Sequence, residues 1–171
     1  MFRLLVTALA LLFAMAAAAS AQTVEINAIT PDGVGKALGT AKLSQSGSGL
    51  TVKLEVTGIP DGEHGFHVHE KGNCGAGMKD GKKAAGIAAG EHYDPGGTKS
   101  HKGPDADGHK GDLPKLTATN GKIDQTVSLK GLKLAEVAGR SLMIHEAGDN
   151  YSDNPENGGG KGRIACGAIP K

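Results

Sequence analysis

From Leu50 to Val56 the chain alternates apolar and polar residues without a break: Leu50-Thr51-Val52-Lys53-Leu54-Glu55-Val56. Successive side chains of a strand point to opposite faces, so this segment offers one face to a core and one to water. That is the pattern of a half-buried antiparallel strand. Thr23 to Ile29 alternates in the same way, and Lys36 to Gln45 reads as a strand between them. His64 to Glu70, Leu116 to Thr119, Lys122 to Leu129, Ser141 to His145 and Arg163 to Ile169 fit the same description. Asn120-Gly121 is a two-residue hairpin signal and Pro60-Asp61-Gly62 a turn. The 28 glycines and the absence of Trp suit many tight turns and a core of small aliphatic side chains. Eight short strands predict an all-β fold, an antiparallel barrel or sandwich. Two irregular stretches interrupt it, Lys71 to Pro114 and Glu146 to Gly162. Loops of that length in a compact domain usually carry function. Within the first, the Gly/Ala-rich run Ala84 to Gly90 reads as a short helical turn or plain loop.

The first 21 residues follow a different logic. Arg3 precedes an uncharged apolar run, Leu4 to Ala19, and Ala19-Ser20-Ala21 is a small-x-small cleavage site. This is the pattern of a secretory signal peptide, giving a mature domain of residues 22–171. A spanning helix is disfavoured because it needs about 20 apolar residues and a polar flank beyond. No membrane anchor is expected after cleavage. Residues 1–21 hold one of the 19 Lys and Arg and none of the 18 Asp and Glu, so residues 22–171 balance at 18 against 18. That neutrality excludes the basic surplus of a nucleic-acid binder. Cys74 and Cys166 are the two cysteines, and in an exported chain they read as one disulfide.

All seven histidines lie in the mature part. His67 and His69 share one face of a strand, while Phe66 and Val68 take the other, so two imidazoles stand side by side as a metal platform. His64 has the opposite parity and reads as a hydrogen-bonded structural histidine. His92, His101, His109 and Asp112 gather in the first long loop. Three histidines and a carboxylate can close a tetrahedral zinc site; on chemistry alone, solvated loop histidines are an equal reading. His145 ends an apolar strand, where it can be a ligand or a structural residue.

Four motifs taken in order resemble the copper–zinc superoxide dismutase family: Gly65-Phe66-His67-Val68-His69-Glu70 with Gly72-Asn73-Cys74; His109-Lys110-Gly111-Asp112-Leu113-Pro114; Ser141-Leu142-Met143-Ile144-His145-Glu146; and Gly162-Arg163-Ile164-Ala165-Cys166-Gly167. Glu146-Ala147-Gly148-Asp149-Asn150-Tyr151-Ser152-Asp153 is similar to the exported bacterial branch. The resemblance implies an eight-stranded antiparallel Greek-key β-barrel or sandwich with one copper and one zinc per subunit. It implies copper at His67, His69, His92 and His145, and zinc at His92, His101, His109 and Asp112, with His92 bridging. It implies that Asp149 hydrogen-bonds His67 and His101, that Arg163 holds the superoxide anion, that His92 supplies protons, and that Cys74 pairs with Cys166. A periplasmic location, and a monomer or homodimer, follow from the same resemblance.

Some features depart from the pattern or leave room for rivals. The spacings of 9 and 8 residues between His92, His101 and His109 differ slightly from the cytosolic branch, and the second loop is short. Glu91 adds a carboxylate beside His92. Lys99, Lys102, Lys110 and Lys161 are candidates for a steering field, and Tyr93 and Tyr151 for exposed contacts. A non-enzymatic copper or zinc carrier on the same fold would typically lack part of the ligand set or the arginine, all of which are present. A zinc hydrolase would need an open zinc position, which four ligands would fill.

Overall fold

The computed structural model describes residues 21–47 and 49–171. The expected leader falls on residues 1–20, outside those described, and on Ala21, the first residue of a strand. The order of elements is β1 (Ala21–Thr30), β2 (Gly33–Ser46), β3 (Gly49–Thr57), β4 (Gly62–His64), β5 (Phe66–His69), β6 (Gly77–Lys79), β7 (Lys82–Ala84), β8 (Leu116–Ala118), β9 (Lys122–Lys130), α1 (Leu134–Val137), β10 (Ser141–His145) and β11 (Arg163–Ala168). Among the described residues no helix is long and apolar enough to cross a membrane.

Seven strands make one curled antiparallel sheet in the order β5-β10-β11-β1-β2-β3-β9. The connections from β3 to β4 and from β9 to β10 run between strands that are not neighbours, as in a Greek key. The chain itself closes the curl. β9 turns through Asn120-Gly121 into β8, β8 pairs with β4, and β4 runs on into β5 at the opposite edge. Along β3, Leu50, Val52, Leu54 and Val56 are buried while Lys53 and Glu55 face water. Their partners on β2 and β9 include Leu43, Val127 and Ile123, also buried, so the alternation read from sequence sets the register. At Gly39 the backbones of β2 and β3 approach so closely that a Cβ would lie 2.0 Å from the Glu55 carbonyl oxygen. The register of β1 against β2 shifts there, between Ile26 and Asn27.

The expected strands are all present, with one break. His64 to Glu70 is not continuous: Gly65 interrupts it between β4 and β5. The Gly65 amide donates to the Ala147 carbonyl at 2.8 Å, and the Gly65 carbonyl accepts from the His145 amide at 2.9 Å. A Cβ at Gly65 would lie 3.1 Å from the His67 ring. The 3-10 turn at Ile87–Ala89 realises the helical alternative read for Ala84 to Gly90, while the β6–β7 hairpin in the first long loop, α1 after β9 and a 3-10 turn at Glu156–Gly159 go beyond the sequence expectation.

β5 is buried on both faces. One edge pairs with β10. The other is covered by two segments of the first long loop: Val68 donates to Gly111 at 2.9 Å, Tyr93 to Val68 at 2.8 Å, Leu113 to Phe66 at 3.2 Å and Glu70 to Glu91 at 3.0 Å. This edge pairing brings His92 and Asp112 alongside His69 and His67.

Candidate metal centre

The strand parity is realised. Phe66 and Val68 enter the core, and His67 and His69 turn the other way with ring centroids 6.3 Å apart. His145, at the end of β10, stacks at 5.7 Å from His69, and His92 arrives from the loop at 3.9 Å from His67. One nitrogen from each of these four buried rings falls within 4.8 Å of all the others. A second such group joins His67 and His92 to His101 and Asp112.

His109 stands just outside that second group, but its Nδ1 still points to the same carboxylate. Asp112 Oδ1 lies 2.9 Å from His92 Nδ1, 3.0 Å from His101 Nδ1 and 3.4 Å from His109 Nδ1. His67 has a different commitment, because its Nε2 donates to Asp149 Oδ2 at 2.7 Å. His64 lies apart from both groups, its ring between the carbonyls of His145 and Pro60, each at 2.8 Å.

Hydrogen bonds fix the tautomers. A carboxylate or carbonyl can only accept, so the ring nitrogen facing it carries the proton and the other keeps its lone pair. His69 Nδ1 donates to the Gly90 carbonyl at 2.9 Å, which leaves Nε2. The Asp149 bond leaves His67 with Nδ1. His101 Nε2 donates to Asp149 Oδ1 at 2.8 Å, and its Nδ1 turns to Asp112. Buried nitrogens without a hydrogen-bond partner are costly and call for explanation. Those of His67 Nδ1, His69 Nε2, His101 Nδ1, His109 Nδ1 and both His145 nitrogens cluster here. The free inward nitrogens of His67, His69 and His145, and the convergence of His92, His101 and His109 on one buried carboxylate, are a donor set that fits copper and zinc.

Electrostatics divides the groups. Burial, reinforced by neighbouring cations and rings, holds His67 and His69 well below the usual imidazole range and pushes His145 down to about 3. Burial also lowers His92, against the opposing bond to Asp112. At His101 burial is outweighed by hydrogen bonds to Asp112 and Asp149, which raise it to about 9. Burial likewise opposes the Asp112 charge, and the bonds to His101 and His92 overcome it, holding the carboxyl well below the usual range.

Beside the first group opens a cleft of about 360 Å³ lined by Arg163, Lys161, Lys79 and Glu91, with the buried His92 and His145 also in its wall. Arg163 is seated by its Nη1, which donates to the Gly86 carbonyl at 2.7 Å, and its Nη2 lies 3.7 Å from the Glu91 carboxylate. Glu91 itself is largely exposed. Cys74 and Cys166 form a disulfide that ties the first long loop to β11.

Some sequence expectations change. Tyr93 is buried, not an exposed contact, because the Arg140 guanidinium covers its ring at 3.6 Å. Tyr151 is half-buried, its hydroxyl accepting from the Lys115 amide at 2.9 Å. Lys110 is occupied by an ion pair with Glu136. Two residues that sequence reasoning passed over matter locally. Gly86 supplies the seat of Arg163, and Asp153 accepts from the Ser100 hydroxyl and the His101 amide. Neither stands on a periodic element, so the only available signal was position: an acid close to Asp149, and a glycine inside a functional loop.

A curled antiparallel β-sheet carrying two adjoining, histidine-rich buried groups, with a fixed guanidinium beside one of them, defines a class of all-β metalloproteins. The family model described as copper/zinc superoxide dismutase matches residues 37–169. A Brucella abortus protein named "Superoxide dismutase [Cu-Zn]" is 50% identical over 161 residues, covering 92% of this chain and 93% of its own. The solved Cu/Zn superoxide dismutase from Brucella abortus superposes with a TM-score of 0.84 at 49% identity, covering 88% of this chain and 99% of that one. The solution structure of the monomeric copper, zinc superoxide dismutase from Salmonella enterica does so with a TM-score of 0.76 at 43% identity and the same coverage. This chain belongs to the copper/zinc superoxide dismutase family.

Proposed function

We propose that this protein is an exported bacterial superoxide dismutase that converts two superoxide ions and two protons into oxygen and hydrogen peroxide. The observation that carries the reading is the adjacency of two buried histidine-rich groups, both containing His92, with the fixed charge of Arg163 beside the first of them. His67, His69, His92 and His145 hold copper, and His92, His101, His109 and Asp112 hold zinc. When bound, copper supplies one-electron redox chemistry and zinc, which has none, a fixed positive charge.

The remaining work belongs to the chain. Asp149 and the Gly90 carbonyl fix the tautomers of His67 and His69, so both present lone pairs without reorganisation. Arg163 draws in the anion and orients it with forked donors, which a lysine would not reproduce. His92 Nδ1 is committed to the Asp112 side, which leaves Nε2 free to hold a proton and deliver it to the second superoxide. Water from the cleft supplies the other proton. The bacterial relatives and the N-terminal pattern support export to the periplasm; sedimentation of the loaded protein distinguishes a monomer from a homodimer.

The test is superoxide consumption by protein from Gln22 onward, loaded with copper and zinc, beside metal-free and zinc-only samples. Fast consumption by the copper-loaded form alone, abolished by His67→Ala or His145→Ala, is the expected result. Binding of both metals without consumption above buffer would instead make the chain a metal carrier.

A further inference from the structure

The second long loop holds the first by two aspartates, and only one of them reaches the ring of a candidate ligand. Asp149 takes the His101 imidazole through Nε2. Asp153 takes the same residue from behind: Oδ1 accepts from the His101 amide at 2.7 Å, and Oδ2 accepts from the Ser100 hydroxyl at 2.9 Å. One residue is thus gripped at its side chain and at its backbone by carboxylates four positions apart.

The span between the two aspartates is a knot closed on itself. Asp149 Oδ1 also accepts from the Tyr151 amide at 2.7 Å, Asn150 donates to the Gly158 carbonyl at 3.0 Å, and Gly158 donates to the Ser152 carbonyl at 3.0 Å. Gly158 lies so close to Asp149 and His101 that a Cβ would fall 2.2 Å from Asp149 Oδ1 and 2.6 Å from His101 Nε2. Past the knot, the chain runs through Gly160 and Lys161 along the wall of the cleft to Arg163. A backbone amide is a poor anchor unless its acceptor is itself fixed, and the knot fixes Asp153.

We propose that Asp153 is a positioning residue: it clamps the zinc-side loop through the Ser100 hydroxyl and the His101 amide, so that the hold on zinc and the placement of the loop bordering the cleft are set together. This inference rests on the reading of His101 as a zinc ligand. Outer partners that orient a ligand typically govern metal affinity by about 10–100-fold.

The experiment compares the full mature protein with Asp153→Ala, Asp153→Asn and Glu156→Gln. The first readout needs no metal: exchange of the His101 amide hydrogen in metal-free protein. Asp153→Ala is expected to speed that exchange at least about tenfold, since an amide without an acceptor opens locally. The second readout is transfer of zinc to a chelator from copper- and zinc-loaded protein, expected to be about 10–100-fold faster in Asp153→Ala. The third is the visible spectrum of cobalt placed on the zinc side, expected to shift in Asp153→Ala. Asp153→Asn keeps an oxygen for the His101 amide and an NH2 group for Ser100, so it is expected to restore all three. Glu156→Gln removes a charge from the same loop and is expected to change none of them, which separates the clamp from loop charge. Unchanged His101 exchange, or unchanged zinc transfer, in Asp153→Ala overturns the inference while leaving the dismutase reading intact. Failure of the unaltered protein to hold zinc overturns the site assignment itself, and the inference with it.

Discussion

Asp149 Oδ2 and His67 Nε2 meet at 2.7 Å with neither side chain exposed, joining the second long loop to β5 across 82 positions of sequence. Its other oxygen meets His101 at 2.8 Å. Asp149→Asn keeps one accepting oxygen and turns the other contact into a donor facing a donor. The expected outcome is a fall in affinity for both metals of about 10–100-fold, read by chelator competition. Unchanged affinity would mean that the two rings are held by packing alone.

Gly158→Ala tests the fit behind that carboxylate. Gly158 sits at φ +75°, where a side chain is strained, and the added methyl would overlap Asp149 and His101. A loss of at least about 1–3 kcal/mol in denaturant unfolding is expected, together with weaker zinc retention.

Arg163→Lys and Arg163→Ala separate geometry from charge. The alanine variant is expected to lose about tenfold or more in superoxide consumption at low salt, and its rate should respond less to added salt, as for removal of a steering charge. The lysine variant keeps the charge but not the fork, so it should retain the salt dependence at a reduced rate. Equal rates in all three proteins would remove Arg163 from the reaction.

The disulfide closes a ring of 92 positions. In the chain-entropy model a ring of that order contributes about 4–5 kcal/mol by restricting the unfolded chain. Replacing Cys74 and Cys166 together by Ser should lower the unfolding free energy by about that much. A much smaller loss would show that the reduced chain is already restricted.

Metal-free protein should be most stable near pH 6.5, for two opposite reasons. His145 is pushed down to about 3, with His67 and His69 also depressed. The unfolded chain therefore binds protons below about 6.5 that the folded one refuses. Stability falls with falling pH across that window, by up to about 1.4 kcal/mol per unit for each histidine. His101, raised to about 9, has the reverse sign: its contribution is complete below about 6.5 and is lost as pH rises to 9. Denaturant midpoints measured from pH 4 to 9 check both limbs, and a flat profile would contradict the burial of these rings as free bases.

Alternation made much of the barrel legible, because β1, β3 and β9 each place one face in the core, whereas β10 is buried along its whole length and was legible as an apolar run. The β6–β7 hairpin was not legible: Gly77–Lys79 and Lys82–Ala84 bury almost nothing, so no pattern marks them. α1 spans four residues, too short to show a period. In the site, parity alone paired His67 with His69 and set His64 aside. For His92, His101, His109 and Asp112, chemistry alone left a zinc site level with solvated loop histidines, and the family resemblance decided between them. Their gathering depends on loop hydrogen bonds such as His109 to Ser100 at 2.9 Å and Asp112 to His109 at 3.2 Å. Asp153 was one acid among several in a polar loop, and its partners are backbone and hydroxyl groups that leave no trace in a sequence.

The segments that deliver His92 and Asp112 also complete the hydrogen bonding of β5, whose outer edge has no other strand beside it among the described residues. An uncovered strand edge is a template for another chain. Whatever slackens the histidine groups therefore also unzips a protective hem. Damage at the centre would surface first as molecules sticking to one another, in a protein whose core strands are still intact.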